Sequence, residues 1–197
     1  MKAKVTIQVL ALLLMATFAF SGADHSYKSK YAGEEKREIK SLSTTDIEEL
    51  QNGEGWGLAK AAELNGVPGP AHLLEMKEEI DLSSEQIRAI EDIYRQMKQE
   101  AVPLGLEFIE LERELNNHFA NRTITNELLR QILQKIAQVH RQLRYVHLSA
   151  HLKTPDILKP EQIMLYNKLR GYSFVDPCEN VPKGHDPTMW KKHHNCP

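Results

Sequence analysis

LSSEQIRAIEDIYRQMKQEAVPLGLEFIELEREL, residues 82–115, is the stretch that decides the fold. Its apolar residues fall at Ile87, Ile90, Tyr94, Met97, Ala101, Leu104, Phe108, Leu111 and Leu115. The steps alternate three and four without a break over four heptads, which is the period of a helix with one continuous apolar seam. The start is equally legible. Ser83 can accept from the backbone three residues on, Gln86 can reach back, and Leu82 and Ile87 occupy the two positions of a hydrophobic staple. Pro103 and Gly105 lie inside the run, and because the phase is kept across them the pattern predicts a kink rather than two helices.

Downstream, Asn116 to Thr123 supplies a turn and Thr125 a cap. A second seam follows at Leu129, Ile132, Ile136, Val139, Leu143, Val146 and Ala150, again in steps of three and four, and Pro155 ends it. Two consecutive helices with matching seams and a short turn pack antiparallel. A last helix is expected from Pro160, with Leu158 and Ile163 as staple and Gln162 at the box position, closed by Gly171. Lys159 stands where the cap should be and offers no acceptor. Upstream, Gly57 to Gly66 reads as a two-turn helix stopped by Asn65-Gly66, and Pro70 as the first residue of a helix to about Glu79. Thr45 to Gln51 reads as a short helix and Asp24 to Lys40 as a mobile arm. The expected fold is therefore all-α, a long antiparallel helical hairpin with short flanking helices.

The ends speak to compartment. Lys2 and Lys4 precede a largely apolar run from Val5 to Phe20, followed by the small residues Ser21-Gly22-Ala23. That order is a secretory signal peptide cleaved after Ala23. An uncleaved membrane anchor is the alternative, although the run falls short of the roughly 20 residues that span a bilayer. The expected division is a signal peptide over 1–23, a polar N-terminal arm over 24–56, a helical domain over 57–172 and a Cys/His tail over 173–197. Removing the leader leaves 23 basic and 27 acidic residues. That balance gives no basic footprint for nucleic acid, and no second apolar stretch reaches membrane length.

Leu82-Ser-Ser-Glu-Gln86 and Leu158-Lys-Pro-Glu-Gln162 together resemble the doubled LTxxQ motif of the Spy/CpxP family, with Ser83 and Lys159 in place of threonine. The likeness covers about Gly57 to Tyr172. Within it, the Leu58 to Pro70 segment and Leu169-Arg-Gly-Tyr172 look like the metal-associated branch of that family, the zinc-resistance-associated and heavy-metal sensor proteins. The resemblance implies a cradle-shaped hairpin in the periplasm, often a homodimer, serving envelope stress as a chaperone, a signalling modulator or a metal binder. Its partners would be unfolded envelope proteins or a periplasmic sensor domain. Physically, the motif residues are what a stapled and capped helix start requires, so they read as structural rather than ligand-contacting.

Residues that could carry chemistry are few. His147 and His151 are four apart and share a helix face, so they could share a metal. The plainer reading is two surface histidines beside the seam. His72 is the best third ligand, and Glu75, three residues on, could join it. His140 lies on the same stripe, but Arg144 intervenes. The tail offers Cys178, His185, His193, His194 and Cys196, a set suited to zinc or copper(I) if the thiols are free. In an oxidising compartment the two cysteines read first as one disulfide. No cofactor is required, and zinc or another divalent or soft transition metal is the one group these residues suggest. There is no HExxH, no GxSxG and no phosphate-cradling glycine loop, and Glu107, Glu110, Glu112 and Glu114 read as a solvated face, so the sequence does not read as an enzyme. The expected function is ATP-independent, chaperone-like binding of unfolded envelope proteins, with heavy-metal binding or sensing as the alternative.

Overall fold

The computed structural model describes residues 27–172, 178, 181, 183–193 and 196. The expected signal peptide over 1–23 lies outside the described residues, as does His194. Residues up to Gly33 form a unit of their own, and the account below concerns the unit from Glu34 onward.

The described residues contain seven α-helices and no strand. They are α1 (Thr44–Gln51), α2 (Lys60–Glu63), α3 (Pro70–Glu75), α4 (Ser84–Ala120), α5 (Asn126–Lys153), α6 (Pro160–Leu169) and α7 (Pro187–His193). The two long helices α4 and α5 pack closely against each other as the hairpin. Ile90, Met97, Ala101, Phe108 and Leu111 of α4 are buried, as are Ile132, Val139, Leu143, Val146 and Ala150 of α5, all of them seam positions. Burying a Leu- or Ile-sized side chain is worth about 1.5–3 kcal/mol, so this seam supplies most of the hairpin's cohesion.

The helix starts follow the chemistry of their caps. Gln86 N–H donates to Ser83 Oγ at 3.3 Å while Ser83 N–H donates to Gln86 Oε1 at 2.9 Å, a complete reciprocal box. At α6 only one arm exists, Lys159 N–H to Gln162 Oε1 at 2.9 Å. The two glutamines also meet across the fold. Gln86 Nε2 donates to Gln162 Oε1 at 2.8 Å and to the Ile157 carbonyl, and Gln162 Nε2 donates to Gln86 Oε1 at 3.1 Å and to the Asp81 carbonyl. The paired motifs thus tie the starts of α4 and α6 together, above a second apolar cluster containing Leu73, Ile80, Leu82, Ile90, Leu158 and Tyr166.

Three local features differ from the sequence reading. α4 runs through the expected turn to Ala120, because its end is closed by main-chain bonds rather than by Asn116. Thr123 N–H reaches the His118 carbonyl and Arg122 N–H the Phe119 carbonyl, with Arg122 at φ +55°. That is a Schellman closure with arginine at the left-handed position. α3 stops at Glu75 instead of about Glu79. The following turns place Ile80 and Leu82 on one buried cluster, with Asp81 at φ +54° between them.

The third difference is larger. Part of the polar arm expected over 24–56 packs on the hairpin, with Ile39 from the stretch expected to be mobile, and Leu42 and Leu50 beyond it, buried in the main core. α1 lies on α4, and the contact is close at Gly105, where an added Cβ would overlap the Leu50 carbonyl oxygen. Polar ties flank it: Ser41 Oγ donates to Glu112 at 2.6 Å, and Arg113 pairs with Glu38 at 3.2 Å. This third layer lies where Gly105 and Ile109, which are off the seam, are buried. Within the described residues α4 is one continuous helix through Pro103, whose side chain is on the exposed face.

Candidate functional site

The C-terminal half of α5 carries His147 and His151, each directly after a seam residue, Val146 and Ala150. Both histidines are buried, 3% and 6% exposed, where a surface pair was the plainer sequence reading. His151 lies against the loop between α2 and α3. Three bonds pin that loop: Thr154 Oγ1 donates to the Pro68 carbonyl at 2.6 Å, Asn167 Nδ2 to the Gly66 carbonyl at 3.2 Å, and His151 Nδ1 lies 2.9 Å from the Val67 carbonyl. Gly69 is required at this closure, since an added Cβ would stand 2.6 Å from His151 Nε2.

His147 Nε2 is buried with no hydrogen-bond partner. Burial, and secondarily the charges of His151 and Lys98, push its pKa down to about 4. His151 is lowered as well, by burial first, against the raising effects of the Val67 bond and Glu63. Both rings are therefore neutral at neutral pH, and a neutral imidazole with a free lone pair is the form that ligates a metal.

His72, on α3, lies across the same cleft. Its Nδ1 is 2.8 Å from Glu75 Oε2 and its Nε2 is 3.6 Å from Glu63 Oε1. Glu63, from α2, accepts from Arg170 Nη2 at 2.6 Å and Nε at 3.1 Å and from the Tyr172 hydroxyl at 2.8 Å. Burial would raise its pKa, but the bonds from Tyr172 and Arg170 and the charges of His72 and Arg170 outweigh that and hold it below the usual value. The cleft these residues line has a volume of about 580 Å³, with Tyr94 and Met97 of α4 on another side.

Of the residues singled out from sequence, His72, His147, His151 and Glu75 all line this cleft. They do not form a ready metal cage: among the described residues no group of three or more His, Cys, Asp or Glu side chains is close enough to hold an ion. Glu75 is turned onto His72 Nδ1. His140 is elsewhere, in ring contact with Trp56 at 6.1 Å and Phe108 at 6.0 Å. Sequence reasoning passed over Glu63 and Arg170 as cleft residues, because nothing local links positions 107 residues apart.

In the tail, Cys178 and Cys196 form a disulfide, so no thiolate remains there for the alternative metal set. His185 stacks edge-on against Trp190 at 4.9 Å, and His193 ends α7.

Searches of protein-family models, of curated proteins and of solved structures find no match to this chain.

Proposed function

We propose that this chain is an envelope-stress protein of the Spy/CpxP type whose own activity is binding a transition-metal dication in the His147–His151–His72 cleft. The observation that carries this reading is the buried, unpartnered Nε2 of His147, on the same cleft as two further imidazoles and the Glu63 carboxylate. Leaving a buried polar atom unpaired costs about 1–3 kcal/mol, and a bound ion would recover that cost. Imidazole nitrogens with one carboxylate oxygen suit zinc, cobalt, nickel or copper(II) better than magnesium or calcium. Because the histidines do not yet form a cage, binding would draw His72 toward α5. Calorimetric titration of the protein with each metal tests this. Saturable binding that disappears in a His147→Ala/His151→Ala variant is expected. Binding that is absent, or unchanged in that variant, overturns the reading.

A second reading, ATP-independent holding of unfolded proteins, is favoured by the outer face of α5. Tyr145 and Leu152 are 69% and 72% exposed one heptad apart, with Leu148 half-buried between them. Arg130, Lys135, Arg141, Arg144 and Lys153 stand on this helix against the single acid Glu127. A basic helix with an apolar stripe suits weak capture of exposed apolar, acidic segments. Suppression of client aggregation without ATP, lost in Tyr145→Ser/Leu152→Ser, is the expected result. No suppression at any ratio would remove it.

A further inference from the structure

The third layer, residues 34–52, sits in a groove of α4. Gly105 is the floor of that groove, since an added Cβ there would overlap the Leu50 carbonyl oxygen. Further along, a Cβ on Gly53 would stand 3.0 Å from Val102 and 3.3 Å from Ala101. Ile39, Leu42 and Leu50 share one buried cluster with Ala101, Phe108 and Ile109. Polar bonds run along the exposed rim. Besides the Ser41–Glu112 and Glu38–Arg113 ties, Asn116 donates to the Glu38 carbonyl at 3.2 Å and accepts from Lys40 N–H at 3.3 Å.

The link from this layer to the rest of the chain is built to pivot. Gly53, Gly55 and Gly57 stand within five residues, with Gly53 at φ +60° and Gly57 at φ +68°. Between the last two, Trp56 is held at φ +40°, a left-handed backbone that a bulky aromatic residue rarely takes. Its indole stays there through Phe108, 5.2 Å away between ring centres, and a 2.9 Å bond from Nε1 to Asp46. An extended link would relieve Trp56. The layer's own helix, α1, has eight residues, fewer than the roughly 12–15 a helix needs to persist alone. Off α4 it loses its helix, and it regains one only on an equivalent groove.

We propose that residues 34–52 are an exchangeable strap: pivoting on the 53–57 link, they leave α4 and seat in the same groove of a second copy of this chain. The chemistry of that occupant is already on the page, because the groove holds the identical segment in cis. Exchange repeats every buried contact and rim bond twice about a two-fold axis, so little but the link changes. The link therefore chooses between the two closures. A short flexible link gives the strap an effective concentration of about millimolar at its own groove. The protein closes on itself well below that concentration and exchanges straps as it approaches it. A link too short to turn back favours exchange throughout. The inference concerns association between copies and is independent of the metal reading.

The experiment measures the mass of the purified protein in solution by light scattering, at concentrations well below millimolar. Deleting Glu54 and Gly55 should turn the monomer into a dimer, and inserting four glycine and serine residues beside Gly55 should keep it monomeric. Complementation then locates the contact. Gly105→Leu keeps a sound strap but fills the groove, and Leu42→Asp/Leu50→Asp keeps a sound groove but spoils the strap. Each alone should be monomeric with the hairpin's helical circular dichroism intact. Mixed, they should form a one-to-one heterodimer, the sound strap of one in the sound groove of the other.

A shortened link that leaves the protein monomeric, or a mixture that does not associate, overturns the proposal. So does a dimer that forms as readily when the link is shortened in Leu42→Asp/Leu50→Asp, because that dimer uses another surface.

Discussion

Single atoms decide much of this molecule, and Gly105 and His147 show it from opposite sides. Gly105 is buried where the Leu50 carbonyl meets α4, so the absence of a side chain is what lets α1 seat. Gly105→Ala would ordinarily favour a helix interior, by about 1 kcal/mol. Here the added methyl has backbone in its way, and overpacking of that kind costs about 1–3 kcal/mol. The net expectation is a lower urea midpoint. An equal or higher midpoint would show that α1 is not held where the structure puts it.

His147 sets a pH dependence. Its folded pKa of about 4 lies below the 6.5 of a free imidazole, so the unfolded chain takes up the proton first. Stability is therefore full above about pH 6.5, declines as the pH falls toward 4, and declines no further through this group below that. At about 1.36 kcal/mol per pH unit the loss is at most about 3–4 kcal/mol. Urea unfolding at pH 7.5 and pH 5 measures it, and His147→Gln, which cannot take up the proton, should flatten the slope. Equal slopes in the two proteins would contradict the assignment.

At the scale of elements, the glutamine pair is the sharpest feature. Each side chain serves its own helix start and also bonds the opposite one, so the two motifs act as a unit. Gln86→Ala and Gln162→Ala should each cost about 1–3 kcal/mol by stranding the partner's buried groups. The double variant should fall short of the sum by about 1 kcal/mol, because the second change removes what the first had orphaned. Strict additivity in a denaturation cycle would mean two independent caps.

This pairing also marks how far the sequence could be read. The boxes, staples and seams are local patterns, and they predicted the hairpin because repeated three-four spacing has one structural answer. The bond between Gln86 and Gln162 spans 76 positions and leaves no periodic trace. The layer formed by Ile39, Leu42 and Leu50 was missed for a related reason: a few apolar residues in a polar stretch carry too little pattern to outweigh its charge. The cleft was half legible. Helical spacing put His147 and His151 on one face, but His151 packs against the Gly66–Pro70 loop, which the sequence shows only as a turn.

For the whole molecule, the metal reading proposed above raises the question of whether cleft and tail would act as one system or two. The structure separates them chemically. The cleft offers neutral imidazoles, whereas the tail's sulfurs are joined to each other and unavailable. A ligand that binds only the folded chain stabilises it by about 2.7 kcal/mol at a concentration one hundred times its dissociation constant. Zinc should therefore raise the melting temperature of the protein, and His147→Ala/His151→Ala should abolish the rise. Cys178→Ser/Cys196→Ser should keep the same zinc-dependent rise and the same stoichiometry, although its metal-free melting temperature can differ because a cross-link restrains the unfolded chain. Loss of the zinc response in the serine variant would move the metal into the tail, and the buried histidines of α5 would then be packing residues with one unpaired nitrogen.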